Sequence, residues 1–174
     1  MSRVFFTSDL HFGHENLCQS LRGMTAQESY DLIKRNWNKI VTKRDIVYVL
    51  GDITMEKHQH IAEYLSGLNG QICVIGGNHD YKRCCVEYQR LGIPVMGALE
   101  YKGFVCTHIP IHPQEMEFYR GNIHGHIHNQ GIIDGLDYKP KTLGDRYYNV
   151  NVELHEYTPV LFNEIENYFI NLQK

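Results

Sequence analysis

A chain of 174 residues with 43% hydrophobic and 21% charged residues and 12 tyrosines has the profile of a folded globular protein. It can bury about two thirds of its unfolded surface, which sets it apart from disordered and fibrous chains. A formal net charge of -3 excludes the basic stripe that neutralises a long run of nucleic-acid phosphates, so any field that attracts phosphate has to be local.

The opening "MSRVFFTSDLH" lacks the long apolar segment of a secretory signal. No stretch approaches the roughly 18 apolar residues of a membrane span. Five cysteines without CxxC spacing argue against a disulfide framework and point to reduced thiols, so the chain is expected in the cytoplasm with no membrane partner. Cys73 and Cys106 sit in apolar runs and read as core; the adjacent Cys84 and Cys85 have poor geometry for a disulfide.

"RVFFTS" (3–8), "DIVYVL" (45–50), "QICVIG" (71–76) and "GFVCTH" (103–108) are apolar, rich in β-branched and aromatic residues, and bounded by turn signals. They read as buried strands. Between the first two, Tyr30, Ile33, Trp37 and Ile40 recur at helical spacing, and Thr25 with Glu28 forms a capping box, predicting a helix over 26–41. A second helix is predicted from Lys57 to Leu68 and a third after Asp80. Strand and helix alternate, which argues for a largely parallel layer with right-handed crossovers. From Pro94 to Gly125 short strands dominate and imply a further sheet or hairpin system. Residues 129–146 form a loop long enough to be functional. Lys139, Lys141 and Arg146 in and beside it either guide an anionic substrate or simply face water. "RYYNVNVEL" (146–154) reads as a strand, and Leu161, Ile165, Phe169 and Leu172 as a final helix beginning just after Pro159. With no repeat or linker, residues 1–174 are expected to form a single domain.

Polar residues follow the strands. They are Asp9-Leu10-His11, Gly51-Asp52, Gly77-Asn78-His79-Asp80, His108, and His126-Ile127-His128. In an open α/β sheet the carboxyl ends of strands share an edge, so these residues should converge. Asp, His and Asn together suit first-row divalent ions. Two such ions carry about +4, and two aspartates and a hydroxide remove about three charges, which leaves a net positive site for phosphate. "NIHGHIHNQ" (122–130) places His124, His126 and His128 at every second position. A regular strand would put all three rings on one face, but Gly125 would let the chain leave strand geometry, making His124 a core or supporting residue.

The series "DLH", "GD", "GNHD", "THIP" and "GHIH" resembles the calcineurin-like metallophosphoesterase family, and "SDLHFGHENL", "NWNKIV" and "NVNVELHEYTP" resemble its small phage and bacterial branch. The resemblance implies an α/β fold, a metallophosphoesterase-type β-sandwich flanked by helices in four α-β-β-α layers. It implies one metal at Asp9, His11 and His128 and a second at Asn78, His108 and His126, with Asp52 bridging. His79 is then the residue that stabilises or protonates the departing oxygen, and Asp80 the acid that orients it. The implied cofactors are two divalent ions, Mn foremost, with Fe, Zn or Ni as alternatives. The expected activity is hydrolysis of phosphate mono- or diesters by attack of a bridging hydroxide. The partner is a phosphoester substrate, with a nucleotide or nucleic acid among the candidates; nuclease or cyclic-nucleotide phosphodiesterase activity is the alternative within the fold. The intact ligand set argues against a non-catalytic scaffold. His14 and His112 are candidates for contacting substrate, whereas His58, His60 and His155 read as surface residues.

Overall fold

The structure, a computed structural model, describes residues 2–55, 60–80, 82–128 and 146–172. In chain order they form β1 (Val4–Thr7), α1 (Glu15–Leu17) running into a π turn (Cys18–Arg22), α2 (Ala26–Ile40), β2 (Ile46–Val49), α3 (Ile61–Ser66), β3 (Gln71–Ile75) and α4 (Lys82–Arg90). There follow β4 (Val95–Met96), β5 (Leu99–Tyr101), β6 (Phe104–Cys106), a 3-10 turn (Pro113–Met116), β7 (Gly121–His124) and β8 (Tyr147–Asn149). A second 3-10 turn (Val152–Leu154), β9 (Val160–Leu161) and α5 (Phe162–Leu172) complete the described chain.

Two sheets result, in the orders β4-β3-β2-β1-β9 and β5-β6-β7-β8. Strands β1 to β4 are parallel and β9 runs antiparallel to β1. Alternation along the strands decides the layering. Phe5, Val47, Val49 and Val74 point into one core with Ile33 and Trp37 of α2, Ile61 and Leu65 of α3, and Tyr88 of α4. Their neighbours Phe6, Leu50 and Ile75 point the other way, onto Phe104, Cys106 and Ile123 of the second sheet and Phe162, Ile165 and Phe169 of α5. A sheet covered on both faces needs apolar residues at consecutive positions, which is why its strands read as unbroken apolar runs. The architecture is mixed α/β, two sheets flanked by helices.

The predicted helix over 26–41 is α2, and its capping box is formed: Thr25 Oγ1 accepts from the Glu28 N–H at 3.2 Å, and Glu28 Oε2 accepts from the Thr25 N–H at 2.8 Å. Other expectations need correction. The strand predicted to Leu154 ends at Asn149, because two side-chain amides draw the chain into a turn. Asn149 Oδ1 accepts from the Asn151 N–H and Asn151 Oδ1 from the Glu153 N–H, each at 3.0 Å. The helix after Pro159 is preceded by β9, whose two residues pair with Phe5 and Phe6 and are too few to show a period. The helix predicted from Lys57 to Leu68 is described over Ile61–Ser66, and its predicted start at Lys57 lies outside the described residues. His58, Lys139, Lys141 and the loop over 129–145 lie outside the described residues. His155 is half-buried, its Nε2 at 2.7 Å from the Asn149 carbonyl and its ring stacked on Tyr148.

Before β2, Asp45 is buried and accepts from Arg3 N (2.8 Å), Arg3 Nη2 (2.7 Å), Thr42 N (2.8 Å) and Thr42 Oγ1 (2.8 Å). The Arg3 side chain, aided by these backbone N–H groups, holds its carboxyl far below the usual range against the opposing effect of burial. A depressed folded pKa gives stability that is complete above the unfolded value of about 3.9 and is lost as pH falls toward the folded value. Asp45→Asn is therefore expected to lower the melting temperature at pH 7 and to flatten its decline below pH 4. Thermal melts from pH 7 to pH 2 check this, and an acid limb as steep as wild type would refute it.

Candidate metal centre

The turns that follow β1, β2, β3, β6 and β7 meet at one edge, where backbone hydrogen bonds tie the first two together and the last two together. The Asp9 N–H donates to the Gly51 carbonyl and the His11 N–H to the Asp52 carbonyl, each at 3.0 Å, while the Gly125 N–H donates to the His108 carbonyl at 2.9 Å. Among the described residues, the non-glycine positions with positive φ include Asp9 (57°), His11 (47°), Asp52 (56°), His126 (72°) and His128 (49°). The left-handed region is costly for side chains other than Asn and Asp and is tolerated where the surroundings enforce it. Each of these residues leaves its strand's direction and turns inward. The motif glycines are needed for space: a Cβ on Gly77 would strike Asp52, and one on Gly125 would strike Ser8 and Asp9.

Two clusters result. Asp9, His11 and His128 each bring a ligand-type atom within 4.8 Å of the others, as do Asp52, His108 and His126. Asp52 Oδ2 lies between them, 3.3 Å from His108 Nε2, 3.8 Å from His11 Nε2 and 3.9 Å from His79 Nε2. Asn78 Oδ1 is 2.8 Å from His108 Nε2. His108 Nδ1 faces the Leu50 carbonyl at 2.7 Å; a carbonyl only accepts, so Nδ1 carries the proton and the Nε2 lone pair faces the site.

The residues present fit a metal. Asp9 Oδ1 and both ring nitrogens of His11 are buried and have no hydrogen-bond partner among the described residues. Buried polar atoms are almost always satisfied, and a cation would satisfy both a carboxylate oxygen and the unprotonated nitrogen of a neutral imidazole. The electrostatics agree. Burial alone would raise the Asp9 carboxyl, but His11, Ser8, His108 and the His126 N–H bring it down to about 2. Burial likewise opposes ionisation of Asp52 and His108, yet their mutual contact lowers the one and raises the other. The carboxylates stay charged.

The other predicted residues fall around these clusters. The His79 ring is about one-third exposed (31%) at the rim, and its N–H donates to Asp52 Oδ1 at 2.9 Å. Asp80 is buried; its Oδ2 accepts from Asp52 N (2.8 Å) and Gly77 N (2.9 Å), and its Oδ1 from Tyr88 Oη (2.7 Å). It ties the "GD" and "GNHD" turns together. His14 Nδ1 caps α1 by accepting from Leu17 N at 3.2 Å, while its ring lies 5.9 Å from that of His11. His112 is exposed and caps the Pro113–Met116 turn. Arg146 donates through Nη2 to the Met116 and Tyr119 carbonyls, so it secures a loop. His124 is buried against the Gly125 carbonyl, and burial lowers its pKa to about 4, keeping it neutral. Beside Asn78 and His108 opens a cleft of about 360 Å³, walled by Gly76, Gly97, Thr107 and Ile109.

Sequence reasoning missed Tyr88, Arg22 and Glu153. Tyr88 sits on an amphipathic helix like any core aromatic. Arg22 and Glu153 are 131 residues apart, and no local pattern links them.

Two sheets flanked by helices, with paired Asp/His clusters where the strands end, define a metallophosphoesterase-type fold. The chain belongs to the calcineurin-like phosphoesterase family, whose sequence profile matches residues 2–145. It is 34% identical over 167 residues to an uncharacterized protein of Methanocaldococcus jannaschii, covering 92% of this chain and 87% of that one. With the Gene 66 protein of Mycobacterium phage D29 it shares 28% identity over 165 residues, covering 76% of this chain and 81% of that one. A crystal structure of a protein of unknown function from Aquifex aeolicus superposes with a TM-score of 0.73 at 25% identity, covering 96% of this chain and 99% of that one. Among the described residues no helix is long and apolar enough to cross a membrane.

Proposed function

We propose that the protein is a metal-dependent phosphoesterase acting on phosphate mono- or diesters, with Asp9, His11 and His128 holding one divalent ion, Asn78, His108 and His126 a second, and Asp52 shared between them. The position of Asp52 carries this reading. One of its oxygens stands within 4 Å of imidazoles from three separate turns, the placement a shared ligand requires. Two bound divalent ions would supply a hydroxide nucleophile near neutral pH and neutralise charge on the phosphoryl oxygens.

The protein's own groups do the rest. Asp80 and Tyr88 fix the turn that presents Asn78 and His79. The bond from the His79 N–H to Asp52 Oδ1 sets the His79 backbone beside the shared carboxylate. At the rim, the His79 ring can meet the departing ester oxygen and give it a proton. The cleft beside Asn78 and His108 offers space for the alcohol portion. Its walls are glycines, Thr107 and Ile109, so it suits an uncharged group better than a second phosphate.

Metal-stripped protein is expected to be inactive on nitrophenyl phosphate and bis-nitrophenyl phosphate and to recover when Mn is restored, with metal content measured alongside. The ratio of the two rates sorts monoester from diester preference. No hydrolysis with any divalent metal would favour a scaffold.

A further inference from the structure

A buried polar chain runs behind His128. Its Nδ1 lies 3.0 Å from Glu153 Oε2, and Glu153 Oε1 accepts from Arg22 Nε at 2.7 Å, with Arg22 Nη2 at 2.6 Å. The Arg22 side chain has no exposed surface. Its other N–H groups donate to the Asp9 carbonyl (2.7 Å), the Leu10 carbonyl (3.0 Å) and Ser29 Oγ (2.9 Å). Asn151 Nδ2 is 3.2 Å from the same His128 nitrogen. A carboxylate at 3.0 Å from a bare lone pair would be the costlier contact, so Nδ1 carries the proton and Nε2 faces the cluster.

A buried ion pair gives little net stability over apolar side chains of the same volume. The placement of this pair suggests another use. One guanidinium grips the backbone at Asp9 and Leu10, next to two ligands of one cluster, and through Glu153 it orients the third. In the other cluster, His108 Nδ1 meets the neutral Leu50 carbonyl. A carboxylate partner raises the basicity of a ligating imidazole more than a carbonyl does.

We propose that Arg22 and Glu153 are positioning residues for the Asp9, His11 and His128 cluster and make it the tighter of the two metal sites, so that it fills first. This rests on the metal reading above. Glu153 directs the His128 Nε2 lone pair to the ion; Arg22 holds the Glu153 carboxylate in place and locks the turn after β1.

The test is calorimetric titration of metal-stripped full-length protein with MnCl2. Wild type is expected to bind in two resolvable steps. Glu153→Gln should weaken the tighter step by roughly 10–100-fold and leave the weaker step unchanged, whereas His108→Ala should weaken the other step. Arg22→Lys, which keeps the charge but loses the fork, should give an intermediate loss. In a His128→Ala background Glu153→Gln should add nothing. The double variant Arg22→Met with Glu153→Gln leaves neither charge buried alone and carries the test if the single variants do not fold.

Unchanged Mn affinity in Glu153→Gln, or equal weakening of both steps with a lower melting temperature, would overturn the positioning role while leaving the metal reading intact. A wild-type protein that binds no Mn, or a His128→Ala variant that binds it as wild type does, would overturn both.

Discussion

Asp52→Asn is expected to lower phosphoester hydrolysis by at least about 10²–10³-fold, the size of losing one preorganised electrostatic contact, with the melting temperature and circular dichroism close to wild type. Asp52 Oδ2 is the atom that three imidazoles surround, and Oδ1 accepts the His79 N–H. An amide fills the same volume but carries no charge, and it must turn an NH2 group toward one of these neighbours. Held between two dications it would remove one of two negative charges and one shared ligand. The fold should survive, because the bonds that anchor this turn use the Asp52 carbonyl and N–H, donating to Asp80 and accepting from His11. Measured turnover with saturating Mn decides the matter, and a variant near wild-type rate would sink the assignment of Asp52 as the shared ligand.

His79→Ala should reveal its role through the leaving group. With an alkyl phosphoester, whose departing oxygen is strongly basic, losing the proton donor is expected to reduce kcat by about 10²–10⁴-fold. Nitrophenyl esters, whose leaving group departs as a stable anion, should be affected far less. Manganese binding should stay unchanged, since the His79 ring sits at the rim, 3.9 Å from Asp52 Oδ2, outside both clusters. Equal losses on both ester types would remove the proton-donor role, and loss of Mn affinity would instead make His79 part of the metal site.

Much of the site was legible because its residues come in short local groups. Each of "DLH", "GD" and "GNHD" follows an apolar run, and the runs are strands since a sheet buried on both faces tolerates little else. Helix α2 was equally plain, its capping box lying within four residues. The histidines of "NIHGHIH" show the limit. Alternation would place three rings on one face, yet β7 ends at His124 and the chain then turns through left-handed His126 and His128. His124 stays in the core while His126 joins Asp52 and His108, and His128 joins Asp9 and His11.

What the sequence by itself determined is the alternation of the main strands and helices, the fold family and the identity of the polar residues at strand ends. These depend on patterns within a few residues, and on burial that forces apolar side chains inward. The tertiary structure alone decided which residue stands behind which. Nothing in the sequence links Arg22 to Glu153; the fold puts one in a π turn and the other in a 3-10 turn and buries them together behind His128. Arg146 sits next to a Lys-bearing loop in sequence, and its Nη2 donates to two carbonyls of a different loop. Such pairings arise when water is excluded and every remaining charge must find a partner, and no local pattern in the chain records which one it finds.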